Sequence, residues 1–451
     1  MRRPKKKRKT EKKMENKSIE KTMELLKKSY SPFHVVKNLK EELLGHGFTE
    51  LDEKEPFALE KEKKYFVTRN GSSLIAFKIP SDLERVAFQV SAAHTDSPTY
   101  KVKPEPVSVY KNLVSLLTEP YGGMIHSTWF DRPLSLGGRV VVSKGNSLET
   151  KLLFIDRPLL QIPNLCIHFN RDINNGYKYN PAKDLVPILG TSEDGKFDFK
   201  AFLLKELGLP EEEYKVEGFD LFLVNLDEPR RVGLNGEFLS SPRLDDLSST
   251  YTSLLGFVEG EGSKNISVYC AFDNEEVGSL TRQGAHSTFF KETISRIGKG
   301  LGLSEEEICS AVARSMLLSI DNAHANHPNY PEIVDKANSV LLNGGIVLKS
   351  NANQSYTSDA FSSALVKKIA EKADVKVQPF TNRSDLRGGS TLGNLSNAEI
   401  SFVSADIGCP QLAMHSANEF MGVYDIEAME EFVRAFFSST VLLTGERAEV
   451  L

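Results

Sequence analysis

The sequence predicts an α/β protein: a mixed sheet flanked by helices, with a second, mostly β domain inserted into it. Three observations carry this expectation. Short apolar runs suited to buried strands alternate with stretches whose apolar residues recur at helical spacing. Between 101 and 240 the texture changes to short alternating strands separated by Gly-containing turns. The α/β texture then resumes at Ser241 and continues into the C-terminal region. At 451 residues, 40% hydrophobic and 26% charged, the chain has room for two domains and a globular composition.

The chain opens on a basic leader, residues 1–15, in which Pro4 to Lys9 has the look of a nuclear localisation signal or nucleic-acid arm. A solvated, disordered leader is the plainer reading of so short a charge run. The net charge of −5 argues against a general nucleic-acid binder. No apolar run is long enough to span a membrane, and no signal-peptide segment is visible. Cys166, Cys270, Cys309 and Cys409 are scattered, as reduced thiols in a cytoplasmic protein would be.

Ser18 to Leu44 has helical periodicity broken at Ser31-Pro32, predicting two helices. Tyr65 to Ile79 and Arg85 to Ala93 read as strands, with a turn at Asn70-Gly71. The second runs into His94-Thr95-Asp96, a histidine followed by a carboxylate that can orient it. The inserted domain, 101–240, is expected to serve assembly or to act as a lid. Residues 16–100 and 241–451 then form one discontinuous domain. Leu247 to Val258 is predicted helical, and Asp245-Asp246 sits where a helix N-cap would also stand. Ile266 to Phe272 is a buried strand that stops at Asp273-Asn274 and delivers Glu275-Glu276. Helices follow over Phe289–Leu301 and Glu305–Arg314, and Met316 to Ile320 is a strand ending in Asp321. Ser358 to Lys372 is helical, Ile400 to Ala405 is a fourth apolar strand, and His415 lies beyond it. A long amphipathic helix is expected over Glu427–Leu443.

Apolar strands thus end repeatedly in imidazole or carboxylate side chains. Each alone is weak, and a solvated acidic turn is the plain reading of a lone Glu-Glu pair. Together, two histidines and several carboxylates suit a pair of divalent ions, zinc foremost, with manganese or cobalt as alternatives. In such a centre a carboxylate that is not a ligand can act as the base.

The ordered motifs H-T-D-S-P, P-R-L-D-D-L, D-N-E-E-V-G-S, D-N-A-H-A-N-H-P-N-Y and M-H-S-A-N-E resemble those of a known family. It is the aspartyl aminopeptidase and vacuolar aminopeptidase I family of co-catalytic zinc exopeptidases. The resemblance runs over nearly the whole chain from about Glu15. It implies a zinc-exopeptidase-like sheet and a metallo-aminopeptidase acting on peptides. It also implies that His94 and Asp321 hold one metal, that Asp245 bridges, and that Glu276 and His415 complete the other. Glu275 becomes the general base, Asp96 the residue orienting His94, and His324 a group polarising the substrate carbonyl. His168 matches a histidine given to a neighbouring subunit's site, which implies a homo-oligomer, in this family a tetrahedral dodecamer. Lys349 and Arg387 match a basic pocket for acidic N-terminal residues, although the stretch Arg387-Gly388-Gly389-Ser390-Thr391-Leu392-Gly393 departs from the acid-specific pattern. It lacks the Gly-Lys-Ser/Thr ending of a phosphate loop as well. Two other functions fit the same residues: a two-metal amidohydrolase or deacylase on N-acyl compounds, and a catalytically silent assembly scaffold.

Overall fold

The computed structural model describes residues 18–386 and 388–451. The basic leader and Arg387 therefore lie outside the described residues. A nine-stranded sheet forms the body. Its strands are β1 (Thr49–Leu51), β2 (Lys64–Arg69), β3 (Ser73–Lys78), β4 (Phe88–His94), β5 (Ile266–Phe272), β6 (Met316–Ile320), β7 (Ile346–Lys349), β8 (Val377–Phe380) and β9 (Val403–Gly408), in the spatial order β1-β2-β3-β5-β4-β6-β9-β7-β8. The four central strands β5, β4, β6 and β9 run parallel to one another. Their carboxyl ends therefore open on one edge, where ligands collect in sheets of this kind.

Burial on both faces explains why these strands read as continuous apolar runs. In β5 every residue is buried. Tyr269 and Ala271 face a cluster that includes Leu254, Phe257, Phe432 and Phe436. Val268, Cys270 and Phe272 face another that includes Phe289, Phe290 and Ile294. The alternation follows from the two-residue period of a pleated strand. Helices Leu244–Glu259 and Val423–Ser438 cover the first face, and Thr288–Gly300 covers the second. The first two cross closely at Gly256, where a Cβ would fall 2.8 Å from the Arg434 nitrogen and the Glu430 carbonyl, so only glycine fits there.

The last helix departs from expectation. It ends at Ser438 rather than Leu443, and Val441–Thr444 pairs with Arg447–Val450 as a hairpin. The β-branched pair Thr440-Val441 and the turn at Gly445-Glu446 favour that outcome locally. Strands β7 and β8 are short four-residue pieces that periodicity does not resolve. Helix Leu392–Glu399 precedes β9, which starts three residues later than predicted.

A six-stranded antiparallel sheet is built from Ser147–Phe154, Leu134–Lys144, Lys215–Asn225, Thr99–Tyr110, Leu113–Tyr121 and Ile188–Thr191, in that order. It has a core of its own around Tyr100, Trp129, Leu136, Val140 and Leu221. A smaller sheet joins Arg230–Val232, Phe238–Ser241, Glu419–Gly422, Pro410–Leu412 and Ala323–His324. It holds the turn that carries His415. Among the described residues, no helix is long and apolar enough to cross a membrane.

Candidate active site

The carboxyl edge of the central strands brings most of the predicted residues together. His94 is the last residue of β4 and pairs across the ladder with Phe272, the last of β5. Both are almost wholly buried. Beyond Phe272 the backbone turns through Asn274, at φ 64°, into a single 3₁₀ turn, Glu275–Val277, closed by Gly278 at φ 97°. Asp321 follows β6 directly. Asp245 and Asp246 open helix Leu244–Glu259 with non-helical backbone angles, and neither side chain caps the helix.

Three groups of side chains have ligand atoms within 4.8 Å of one another: His94 with Asp245 and Asp321, Asp245 with Glu276 and His415, and His94 with Glu275 and Glu276. Asp245 belongs to the first two. One of its oxygens lies 3.6 Å from His94 Nε2 and the other 3.3 Å from His415 Nε2. Glu276 Oε1 stands 3.2 Å from His415 Nε2, while Glu275 Oε2 is 4.0 Å from His94 Nε2.

Both imidazoles are turned by acceptors behind them. His94 Nδ1 donates to the Asp96 carbonyl at 3.1 Å, with the Asp96 carboxylate at 3.4 Å. His415 Nδ1 donates to the Gly123 carbonyl at 2.5 Å. Each ring thereby presents Nε2 to the carboxylates, the arrangement that suits a metal-ligating histidine. Asp96 does more than orient His94. It accepts the backbone N–H of Glu275 at 3.1 Å and of Glu276 at 3.2 Å, and the Tyr121 hydroxyl at 2.8 Å. Asp246 accepts the His94 backbone N–H at 3.3 Å.

The charge balance asks for cations. Burial pushes the Glu275 carboxyl well up, with His94 opposing and Asp321 reinforcing it. Burial likewise raises Glu276 to about 7. Asp321 is raised by burial against the pull of Lys349. For Asp245, burial is outweighed by His415 and His94, which hold it below the usual carboxylate range. The imidazoles respond in kind. Burial acts against their charge, yet Asp245 and Asp96 lift His94 well above its ordinary value, and Asp245 and Glu276 lift His415 to about 11. Asp245 Oδ1 and Glu276 Oε1 are buried without a hydrogen-bond donor. Carboxylate oxygens without donors, facing imidazole Nε2 atoms, form a donor set that fits divalent metal ions of the zinc type.

The remaining predicted residues fall in different places. His324 lies on the small sheet, open to solvent, its ring 6.4 Å from that of Phe380; partial desolvation and the Lys349 ammonium lower its pKa. Lys349 ends β7, buried, with its ammonium 3.7 Å from Asp321 Oδ2 and over the Tyr356 ring at 5.4 Å. His168 is not brought to these groups. It sits in the exposed stretch that includes Leu165, Ile167 and Phe169, outside all three clusters.

Sequence reasoning gave no role to several residues that build the site. Buried Glu419 accepts the backbone N–H of Asp245 at 2.9 Å and of His415 at 2.7 Å, tying the two together. Its signal was the final letter of M-H-S-A-N-E. Asn322 donates to the Leu244 carbonyl at 2.8 Å, and Ser97 to the Asp245 carbonyl at 2.7 Å. Gly122-Gly123 carries no signal in the sequence beyond that of a turn.

Comparisons with known proteins give the family. The family described as aminopeptidase I zinc metalloprotease (M18) matches residues 25–437. A probable M18 family aminopeptidase 2 of Clostridium acetobutylicum is 43% identical over 424 residues, 93% of this chain and 98% of that protein. One from Pseudomonas aeruginosa is 37% identical over 428 residues, again 93% and 98%. Among solved structures, that of the Ape4 and Nbr1 complex matches with a TM-score of 0.90 at 35% identity, covering 94% of this chain and 86% of that one. The S. cerevisiae mApe1 dodecamer matches with a TM-score of 0.80 at 26% identity, covering 93% and 96%.

Proposed function

The chain belongs to the M18 family of aminopeptidase I zinc metalloproteases and is a metallo-aminopeptidase; from that premise we propose that it uses two divalent ions, with Glu275 as the proton carrier. The observation that carries this reading is Asp245. One carboxylate reaches both His94 and His415, so two ligand groups share a bridge. His94 and Asp321 would hold one ion, Glu276 and His415 the other. The chemistry such ions supply is activation of a water for attack and polarisation of the scissile carbonyl.

The chain's own residues do the rest. Glu275 stands at 4.0 Å from His94 but outside both groups that share Asp245. Burial raises its proton affinity, which suits a base that takes a proton from water and returns it to the leaving amine. Asp96 holds the backbone of both glutamates, so the proton carrier keeps a fixed place beside the ligand Glu276. His324, kept neutral by its surroundings, can donate one hydrogen bond to the carbonyl oxygen.

We extend the reading to acidic N-terminal residues. The Lys349 ammonium, 3.7 Å from Asp321 Oδ2 and 5.4 Å from the centre of the Tyr356 ring, is the cation that would pair with a substrate Asp or Glu side chain. Arg387 would add a second cation. Self-association into a dodecamer like that of mApe1 is part of the same reading. In it, the exposed His168 and its apolar neighbours Leu165, Ile167 and Phe169 would enter a neighbouring subunit. A cytoplasmic location fits the four unpaired cysteines. A panel of Asp, Glu, Leu and Lys aminoacyl substrates, run with zinc, manganese and cobalt, tests the proposal. Cleavage of none, with chelation changing nothing, would overturn it; Leu or Lys cleaved faster than Asp and Glu would remove the acidic preference alone.

A further inference from the structure

The end of the second sheet, Tyr121 to Ile125, reaches into the site, and it does so unevenly. The Gly123 carbonyl accepts a hydrogen bond from His415 Nδ1 at 2.5 Å. Two residues on, the Ile125 N–H donates to the His415 carbonyl at 3.0 Å. His415 is thus held at both ends of its residue, with its backbone at φ 64°. Gly122 lies against the other ligand of the same group. Its φ is +78°, and a Cβ there would fall 3.1 Å from Glu276 Cβ and 3.5 Å from Glu276 Oε2. Glu276 and His415 are therefore met from one side by the backbone at three positions of the second sheet's end, Gly122, Gly123 and Ile125. The ligands Asp321 and His94 are reached less directly by that sheet, through the Tyr121 hydroxyl on Asp96 at 2.8 Å. Those stand at the ends of adjacent parallel strands, and His94 Nδ1 is satisfied within its own loop by Asp96.

We propose that the segment Gly122 to Ile125 is the positioning element of the Glu276–His415 half-site, so that an ion binds there only while the second sheet is docked against the catalytic body. The Gly123 carbonyl fixes the His415 tautomer with Nε2 facing Asp245 and Glu276, and outer acceptors of this kind alter metal affinity by about 10–100-fold. Linkage makes the effect mutual: an ion that binds only the docked arrangement must strengthen the docking by the same factor. The His94–Asp321 half-site, placed at the ends of parallel strands and linked to that sheet only through Tyr121 and Asp96, should sense it far less. This inference rests on the two-ion reading.

The test is a zinc titration of the metal-free full chain, followed by equilibrium dialysis and by hydrogen exchange of individual amides. The wild type should take two ions. Exchange at the Ile125 amide should slow only with the second. In Gly122→Ala, whose methyl group meets Glu276 in a backbone conformation that disfavours it, the first ion should bind within about twofold of wild type and the second about tenfold or more weakly. Equal weakening of both ions in the variant, or slowing of Ile125 by the first ion in the wild type, overturns the inference without touching the two-ion reading. A wild type that binds only one ion removes that reading and this inference with it. Because the exchange measurement uses the unaltered chain, it decides the matter even if Gly122→Ala fails to fold.

Discussion

The two halves of the site are made in different ways. His94 and Asp321 stand at the carboxyl ends of neighbouring parallel strands, β4 and β6: His94 pairs with Phe272 of β5, and the Asp321 N–H donates to the Ile407 carbonyl of β9 at 3.0 Å. Glu276 and His415 stand on turns, one with a 3₁₀ geometry and one at positive φ, and their places depend on contacts from a separate sheet. The first half is preorganised by the fold. The second is assembled by docking. Asp245 joins them, and Glu419 fixes the joint by accepting the backbone N–H of both Asp245 and His415.

The comparison breaks most severely at the shared carboxylate. Asp245→Ala should weaken zinc at both half-sites together, by at least about 100-fold, because even an outer partner of a ligand can cost that much; calorimetry against the wild type measures it. If one ion still binds normally, the halves do not share a bridge. Asp96→Asn sharpens the contrast differently. Asp96 touches His94 and the backbone of both glutamates, so metal affinity should fall about 10–100-fold with no selectivity between the halves.

Acidity should affect the two halves alike. Without ions, neighbouring carboxylates keep His94 and His415 protonated at neutral pH, His415 up to about 11. Binding must expel those protons, so zinc affinity should rise with pH, about tenfold per unit for each proton released. Titrations in buffers of different ionisation enthalpy count the protons, and an affinity that is flat from about pH 6 to 8 would contradict the assignment of both imidazoles as ligands. The smallest effect expected is at Lys349. Lys349→Met should lower kcat/KM for Asp and Glu substrates by about 10-fold or more while leaving Leu substrates within a few-fold, the loss expected for one charge-assisted pair.

The half built on strands was also the half most legible in the sequence. V-A-F-Q-V-S-A-A-H and M-L-L-S-I-D declare a buried strand and its terminal ligand in consecutive letters. The parallel ladder needed to bring His94 and Asp321 together follows from the α/β pattern. The strand Ile266–Phe272 points to Glu276 as well, but the division of roles between Glu275 and Glu276, and the pairing with His415, come from motif resemblance, since turns carry no repeating signal. Their supports were not legible at all. Gly123 contributes a carbonyl, which every residue has, and Tyr121 lies at the end of a strand about 150 residues from Asn274 in the chain. Nor could periodicity see β7 and β8, four residues each, or the stop at Ser438, where β-branched residues and a hairpin turn outweigh an amphipathic pattern.

In the proposed mechanism the two carboxylates of the Glu-Glu pair have separate tasks: Glu276 joins the group that shares Asp245 with His415, while Glu275 cycles a proton. Glu275→Gln tests this directly, because it keeps the size and removes the base. Zinc content measured by atomic absorption should stay at the wild-type value, while turnover of an aminoacyl p-nitroanilide should fall by about 10²–10⁴-fold, the range for a lost general base. A variant that keeps its zinc and most of its turnover would contradict the account, and so would one that loses its zinc.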